Sequence, residues 1–141
     1  MTKNIRLEKI IGNSEQIITL YELLKNRVHN ISHKNMPNFY EHTNFVKNNP
    51  YKVWYLVLNS KKPIGSFYIK NNNSVGLKLS LQSSHIVDLI IKYITSNYKP
   101  EIAKASEVPP YFYFNVAKTN NELIDILNQL NKVPIQISYK F

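Results

Sequence analysis

The stretch from Val53 to Asn97 contains the residues whose types and spacing are most suggestive of chemistry. In it, three strand-like runs lead into an amphipathic helix, and the polar turn Gln82-Ser83-Ser84-His85 stands at the junction. A turn that joins a strand to a helix presents unpaired backbone N–H groups and the positive helix end, which together bind phosphate or pyrophosphate. Turns of this kind normally contain glycine, and this one does not. The sequence therefore predicts an anion site and leaves open whether the site still binds its ligand.

The histidines are the other candidate reactive side chains. His33 lies in a polar stretch, where it either contacts a substrate or bonds to backbone, and His42 lies on the apolar face of a predicted helix, where a structural role is expected. No two histidines, and no histidine and carboxylate, have metal-ligand spacing on one element. The chain has no cysteine and no nucleophile-elbow motif. We therefore expect no metal and no serine-hydrolase chemistry.

The chain is basic, with a formal net charge of +9 from 18 Lys and Arg against 9 Asp and Glu. Such a charge favours anionic partners, among them nucleotides, coenzyme A and nucleic acid. The cations are mostly lysines spread along the chain, and arginine occurs only as Arg6 and Arg27. Trp54 and the run Tyr111–Phe114 are better explained as strand-core side chains than as base-stacking platforms. A nucleic-acid-binding module, which would bind with a steep salt dependence, is therefore the less favoured interpretation.

Length and composition limit the class of protein. Hydrophobic residues make up 43% of the 141 residues, which excludes a disordered chain and suffices for a buried core. No apolar run is long enough to span a membrane, and no apolar signal core follows the first residues. We expect a single domain over residues 1–141, located in the cytoplasm.

The periodicity of the apolar residues predicts an α+β fold. Strands are expected at Ile5–Ile11, Lys52–Leu58, Ile64–Lys70, Ser74–Leu81, Tyr111–Ala117 and Ile135–Phe141. The first is expected at an edge of the sheet, the second to be covered on two faces, and the fifth to be central, and Asn71-Asn72-Asn73 is expected to form a hairpin turn. Helices are expected to be capped by Ser14, by Asn38 in a capping box with Glu41, by Ser83 or Ser84, and by Thr119. The resulting order is β-α-α-β-β-β-α-β-α-β, an antiparallel meander followed by two helix crossovers.

Several stretches carry a family resemblance. They are Trp54–Val57 with Lys62–Ile69, which contains Pro63-Ile64-Gly65, then Ser74–Leu79, and Asn115 near the end of a strand. With the element order, they resemble the GNAT (Gcn5-related N-acetyltransferase) superfamily over essentially the whole chain. The resemblance implies a GNAT-like (acyl-CoA N-acyltransferase) fold, a central, mostly antiparallel sheet flanked by helices. The stretch Asn30–Pro37, with Glu41-His42 after it, is similar to small bacterial GNAT proteins of sugar and surface-polysaccharide biosynthesis.

The resemblance implies a function and a set of site residues. The function is acetyl-CoA-dependent N-acetylation of a small-molecule amine, for the subgroup an amino-sugar intermediate. The backbone that binds the pantetheine arm is implied to be that of Leu79, Ser80 and Leu81. The residues implied to bind the diphosphate are Gln82, Ser83, Ser84 and His85. Asn115 is implied to bind the pantetheine or to order a water, and the alternative is that it satisfies local backbone. The general acid of the family, often a tyrosine of the last helix, has Tyr113 as its first candidate here, with Tyr139 and Tyr68 as other possible substitutes. The residues implied to contact the acceptor are Asn30, Ser32, His33, Met36 and Tyr68.

Two features depart from the family pattern. The diphosphate loop, Gln/Arg-x-x-Gly-x-Gly/Ala, has His85 and Val87 at its two small positions, and both are expected to crowd the backbone amides. The last helix has no tyrosine, where the family often has its general acid. The alternative hypothesis is therefore a GNAT-fold protein that has lost coenzyme A binding and acts as a binding or structural partner. A homodimer is compatible with either hypothesis.

Overall fold

The computed structural model describes residues 4–27 and 36–141. The elements are β1 (Ile5–Lys9), α1 (Ser14–Lys25), α2 (Phe39–Lys47), β2 (Val53–Asn59), β3 (Lys62–Ile69), β4 (Ser74–Leu79), α3 (Ser84–Asn97), β5 (Tyr113–Phe114) and α4 (Asn121–Gln129). The predicted α+β class and the predicted element order up to α4 are confirmed. None of the helices in these ranges combines the length and the apolar character that crossing a membrane requires.

The five strands form one sheet in the order β1-β2-β3-β4-β5. The first four run antiparallel, so that β2, β3 and β4 are the predicted meander and β1 is the predicted edge strand. β5 runs parallel to β4 and pairs with it only through Ser74↔Tyr113 and Val75↔Phe114. The two strands separate beyond these pairs, and this separation positions the candidate site.

Helices cover both faces of the sheet. α3 and α4 pack on one face around a buried cluster that includes Val57, Phe67 and Ile90. α1 and α2 pack on the other face around Trp54 and Leu56. The residues of β2 from 53 to 58 are all buried, which confirms the prediction that this apolar strand is covered on two faces.

Polar side chains fix where the helices begin. Asn38 Oδ1 accepts from the Glu41 N–H at 2.8 Å, and the Asn38 N–H donates to the Glu41 carboxylate at 3.0 Å, which confirms the predicted capping box. Two other helices are capped one residue away from the predicted position: α1 is capped by Asn13 instead of Ser14, and α4 is capped by Asn120 instead of Thr119. An asparagine amide caps a helix at least as well as a hydroxyl, which explains both shifts.

The C-terminal part of the chain contradicts two predicted strands. The strand predicted at Tyr111–Ala117 is reduced to the two residues of β5 and lies at the sheet edge rather than in its centre. The strand predicted at Ile135–Phe141 is absent, and all of its residues are exposed. Strand propensity reflects packing against neighbouring strands rather than an intrinsic backbone preference. None of the described strands runs beside this segment to supply that packing.

Candidate functional site

A cavity of about 370 Å³ opens where β4 and β5 separate. The end of β4 and the chain just after β5 line one side of it, and the end of α1, α2 and an aromatic group line the other. The predicted site residues that line the cavity are Tyr68, Leu79, Ser80, Gln82 and Asn115. The structure therefore brings predicted cofactor and acceptor residues together around one space.

The edge of β4 that faces this cavity has a backbone donor with no partner within residues 4–27 and 36–141. The Ser80 N–H donates to the Ile64 carbonyl of β3 at 2.7 Å. Because successive N–H groups of a strand point to opposite edges, the Leu79 N–H points away from β3 and toward the gap. Gly65 allows the close approach of β3 and β4 here, since a Cβ atom on it would lie 2.0 Å from the Lys78 carbonyl oxygen.

The first turn of α3 lies just beyond the end of β4. Ser83 caps it as predicted: its Oγ accepts from the Ile86 N–H at 3.2 Å, and its carbonyl accepts from the Val87 N–H at 3.1 Å. The N–H groups of Ser84 and His85 have no partner in the part of the chain that the structure describes. Two such donors at the positive end of a helix are an arrangement that can hold an anion, and we call this turn the anion site.

Val87 does not obstruct this anion site. Its side chain is 0% exposed and packs in the core beneath α3, so the prediction that it crowds the backbone amides is wrong. The periodicity of α3 could have predicted that Val87 is buried, because Val87 shares a helix face with the buried Ile90 and Ile94. His85 is exposed at the surface.

Gln82 has a partner within the protein. Its Nε2 donates to Asn120 Oδ1 at 3.3 Å, and the same oxygen accepts from the Leu123 N–H at 3.2 Å. Asn120 is buried at the start of α4. The Gln82 side chain therefore links the β4–α3 junction to the start of α4, so it has a structural contact in addition to any contact with a ligand.

Three aromatic rings, which we call the aromatic floor, line the opposite half of the cavity: Tyr51, Trp54 and Tyr68. The rings of Tyr51 and Tyr68 stack with centroids 3.9 Å apart, and Trp54 meets Tyr51 edge-on at 5.0 Å. The Tyr68 ring lies directly over Gly76, where a Cβ atom would be 2.0 Å from Tyr68 Cζ. Glycine at this position makes room for the ring.

Two cations that the sequence analysis did not assign to the site also line the cavity, Arg27 after α1 and Lys78 on β4. Arg27 Nη2 is buried and has no hydrogen-bond partner within residues 4–27 and 36–141. Burial, together with the charge of Arg27, lowers the pKa of Lys78 to about 8. Burial also lowers the pKa of Arg27. In the sequence, the one sign that Lys78 belongs to the site is its position between the apolar residues Leu77 and Leu79 of a predicted strand.

His42 lines the cavity but is tied to the fold. Its Nε2 lies 2.9 Å from the Ile17 carbonyl, and burial lowers its pKa, so the ring is neutral and Nε2–H donates. This confirms the structural role predicted for His42. Its neighbour Glu41 also borders the cavity, with its carboxylate engaged by the Asn38 N–H.

Other predicted residues lie elsewhere. Tyr113 pairs with Ser74 at the far end of β4 and does not line the cavity, and Met36 and the exposed Tyr139 are also away from it. The β4–α3 junction and the start of α3 contain four more of the predicted residues, which do not line the cavity: Leu81, Ser83, Ser84 and His85. Asn30, Ser32 and His33 lie outside the described residues. Among the described residues, no group of three or more His, Cys, Asp or Glu is arranged to hold a metal ion.

No protein-family model matches the sequence, and no curated protein matches it. Solved structures do match. The N-acetyltransferase PseH from Campylobacter jejuni aligns with a TM-score of 0.63 and 19% identity over 96% of this chain and 92% of that chain. Its complex with acetyl coenzyme A gives the same TM-score and identity, over 95% of this chain and 92% of that chain.

Two further structures are similar over nearly the whole chain. An aminoglycoside acetyltransferase from an uncultured soil metagenomic sample, in complex with sisomicin, aligns with a TM-score of 0.60 and 11% identity over 98% of this chain and 95% of that one. A GNAT-family acetyltransferase from Streptococcus pneumoniae aligns with a TM-score of 0.50 and 15% identity over 97% and 99%. The split sheet and its helical layers are thus those of acetyltransferases, and the chain has the fold of the GNAT superfamily.

Proposed function

We propose that this protein is an acetyl-CoA-dependent N-acetyltransferase that acts on an amine of a small molecule. The observation that carries the proposal is the gap between β4 and β5, which leads to the free N–H groups at the start of α3. The complex of PseH with acetyl coenzyme A, a protein of the same fold, supports the choice of cofactor. An amino-sugar acceptor stays a prediction from the sequence resemblance.

The residues around the gap fit the parts of acetyl-CoA. The pantetheine arm contains amide groups, which match the unpaired edge of β4 at Leu79, and Asn115 offers a side-chain amide on the opposite side of the gap. The N–H groups of Ser84 and His85 match the diphosphate. Val87 lies in the core and does not cover these donors, and the side chain of His85 is exposed.

Acetyl-CoA would supply the acetyl group: the amide C–N bond forms, the thioester C–S bond breaks, and one amine proton ends on the thiol. The Leu79 N–H is placed to stabilise negative charge on a carbonyl oxygen in the gap. The aromatic floor keeps water away and favours the neutral amine. Tyr68 replaces Tyr113 as the proposed proton donor because it lines the cavity, and burial raises its pKa so that the hydroxyl stays protonated.

Two measurements test this function. The first is isothermal titration of the purified protein with acetyl-CoA, for which we expect a dissociation constant on the order of micromolar, the scale of working cosubstrate affinities. The second is release of free coenzyme A thiol when amines are added to the complex. Absence of binding at saturating acetyl-CoA would reject the proposal and favour the alternative, a GNAT-fold protein that serves as a non-catalytic binding or structural partner.

A further inference from the structure

We propose that the acceptor carries an acidic group, phosphate or carboxylate, and that Arg27 and Lys78 bind this group beside the aromatic floor. The acetylation of that acceptor rests on the proposed function, whereas the binding of the acidic group does not. The inference starts from two cations that line one cavity and have no partner of opposite charge among the described residues.

Arg27 is the clearer of the two. A buried guanidinium normally has its donors satisfied by carboxylate or carbonyl oxygens, because an unpaired buried charge is costly. Arg27 Nη2 is buried and has no such partner among the described residues. A planar guanidinium with free donors is suited to bind a carboxylate or a phosphate.

Lys78 faces the same space from the sheet. Its neighbour Leu77 packs into the core with α3 and α4, so the alternation of the strand places Lys78 on the opposite face, over the cavity. Among the described residues, the ion pairs are those of Lys25 with Glu22, Lys52 with Glu101 and Lys92 with Asp88, and Lys78 is in none of them. Arg27 and Lys78 line the same cavity, and the charge of Arg27 contributes, after burial, to the lowered pKa of Lys78. An anion between them would relieve the repulsion between the two charges.

The protein's own carboxylate does not fill this role. Glu41 borders the cavity, but its carboxylate accepts from the Asn38 N–H at 3.0 Å, and its side chain is exposed. It forms no ion pair with Arg27 or Lys78. The charge that complements the two cations must therefore come from the ligand.

The geometry also limits the size of the acceptor. Lys78 directly precedes Leu79, whose N–H faces the gap, so the acid-binding position and the proposed acetyl-transfer position lie within the length of one small molecule. The flat surface of the aromatic floor, which lines the same cavity, suits a ring or a short carbon chain. The acceptor class is a small amine that carries an acidic group.

Matched ligand pairs test this inference without acetyl-CoA. Glucosamine 6-phosphate against glucosamine tests phosphate, and lysine against 1,5-diaminopentane tests carboxylate, each by isothermal titration at pH 7. In at least one pair, we expect the acidic member to bind about tenfold or more tightly, as charge-assisted hydrogen bonds to two cations require. The pair that discriminates identifies the acidic group.

Variants assign the effect to the two cations. Lys78→Met and Arg27→Gln should each remove most of the discrimination, whereas Lys47→Met, which removes an exposed lysine of α2, should leave it intact. A melting temperature at or above that of the native protein shows that Lys78→Met folds. Equal binding within both ligand pairs, or unchanged discrimination in Lys78→Met, would overturn the inference. If the protein discriminates within a ligand pair but does not bind acetyl-CoA, the acid site is upheld and the proposed function is rejected. If it binds acetyl-CoA but does not discriminate, the proposed function is upheld and the acid site is rejected.

Discussion

At the scale of single residues, the site is defined by charges held away from water. Lys78 shows this most directly, because burial and the charge of Arg27 lower its pKa to about 8 from the model-compound value of 10.5. The ammonium is therefore still mostly charged at neutral pH. Between pH 8 and 10.5, Lys78 is mostly neutral in the folded chain and mostly charged in the unfolded chain. Its charge opposes folding at neutral pH, and we expect Lys78→Met to raise the melting temperature.

The same pKa predicts a pH dependence of acid binding. Glucose 6-phosphate is a suitable probe because it has no amine and its phosphate is fully ionised above pH 7. We expect its affinity to fall as the pH rises above about 8, where the free protein loses the Lys78 proton. The other titratable groups that face the cavity are Arg27, Glu41, His42, Tyr51 and Tyr68.

Titration of glucose 6-phosphate at several pH values between 7 and 9.5 measures this dependence, with those pH values chosen to span the pKa of about 8. In Lys78→Met, the affinity should be low and nearly independent of pH over the same range. An affinity of the native protein that stays constant across the range would contradict the assignment of Lys78 to the acid group.

Sequence reasoning predicted only part of the site at this scale. Leu79, Ser80 and Asn115 line the cavity as the resemblance implied, because backbone positions follow from the element order. Arg27 and Lys78 were missed because they are far apart in the sequence and meet only through the packing of α1 against the sheet. Tyr113 was misplaced because the point where β5 leaves β4 has no signature in a run of aromatic residues.

At the scale of elements, the separation of β4 and β5 depends on how the chain before β5 is anchored. Asn73, in the β3–β4 turn, is fully buried and has the positive φ of 70° that its predicted turn requires. Its Oδ1 accepts from the Glu101 N–H at 2.7 Å, and its Nδ2 donates to the carbonyls of Glu101 and Pro109 at 3.2 and 2.8 Å. Its carbonyl accepts from the Tyr113 N–H at 3.2 Å, which starts β5.

Removing this anchor should destabilise the protein. We expect Asn73→Ala to lower the free energy of unfolding by about 3 kcal/mol, since three hydrogen bonds to buried backbone groups are lost at roughly 1 kcal/mol each. Urea denaturation followed by circular dichroism measures the change. The control is Asn71→Ala in the same turn, whose side chain is exposed. Equal stability of the two variants would contradict the anchoring role.

The elements themselves were largely predictable, and the failures have a common cause. Helices α1 to α4 and the meander follow from local periodicity and capping residues. The two C-terminal strands were overpredicted because alternation marks a segment that can pair, while pairing requires an edge within reach.

At the scale of the whole molecule, the fold brings the parts that we propose for the cofactor and for the acceptor close together. The edge of β4, the aromatic floor and the two cations line one cavity, and the first turn of α3 follows shortly after the end of β4. Helices cover both faces of the sheet, so the separation of β4 and β5 gives the cavity its opening between these layers. The proposed function depends most directly on whether the diphosphate of acetyl-CoA binds at the start of α3.

A matched pair of variants at Ser84 measures this most directly. Ser84 is the first residue of α3, and Ser83 before it is extended, with φ −144° and ψ 154°, so proline fits at position 84 and removes only the N–H. Ser84→Ala keeps that N–H. In isothermal titration with acetyl-CoA, we expect Ser84→Ala to bind like the native protein and Ser84→Pro to bind about tenfold more weakly, as the loss of one charge-assisted hydrogen bond implies. Equal affinity of the two variants would contradict the account, because the diphosphate would then lie elsewhere.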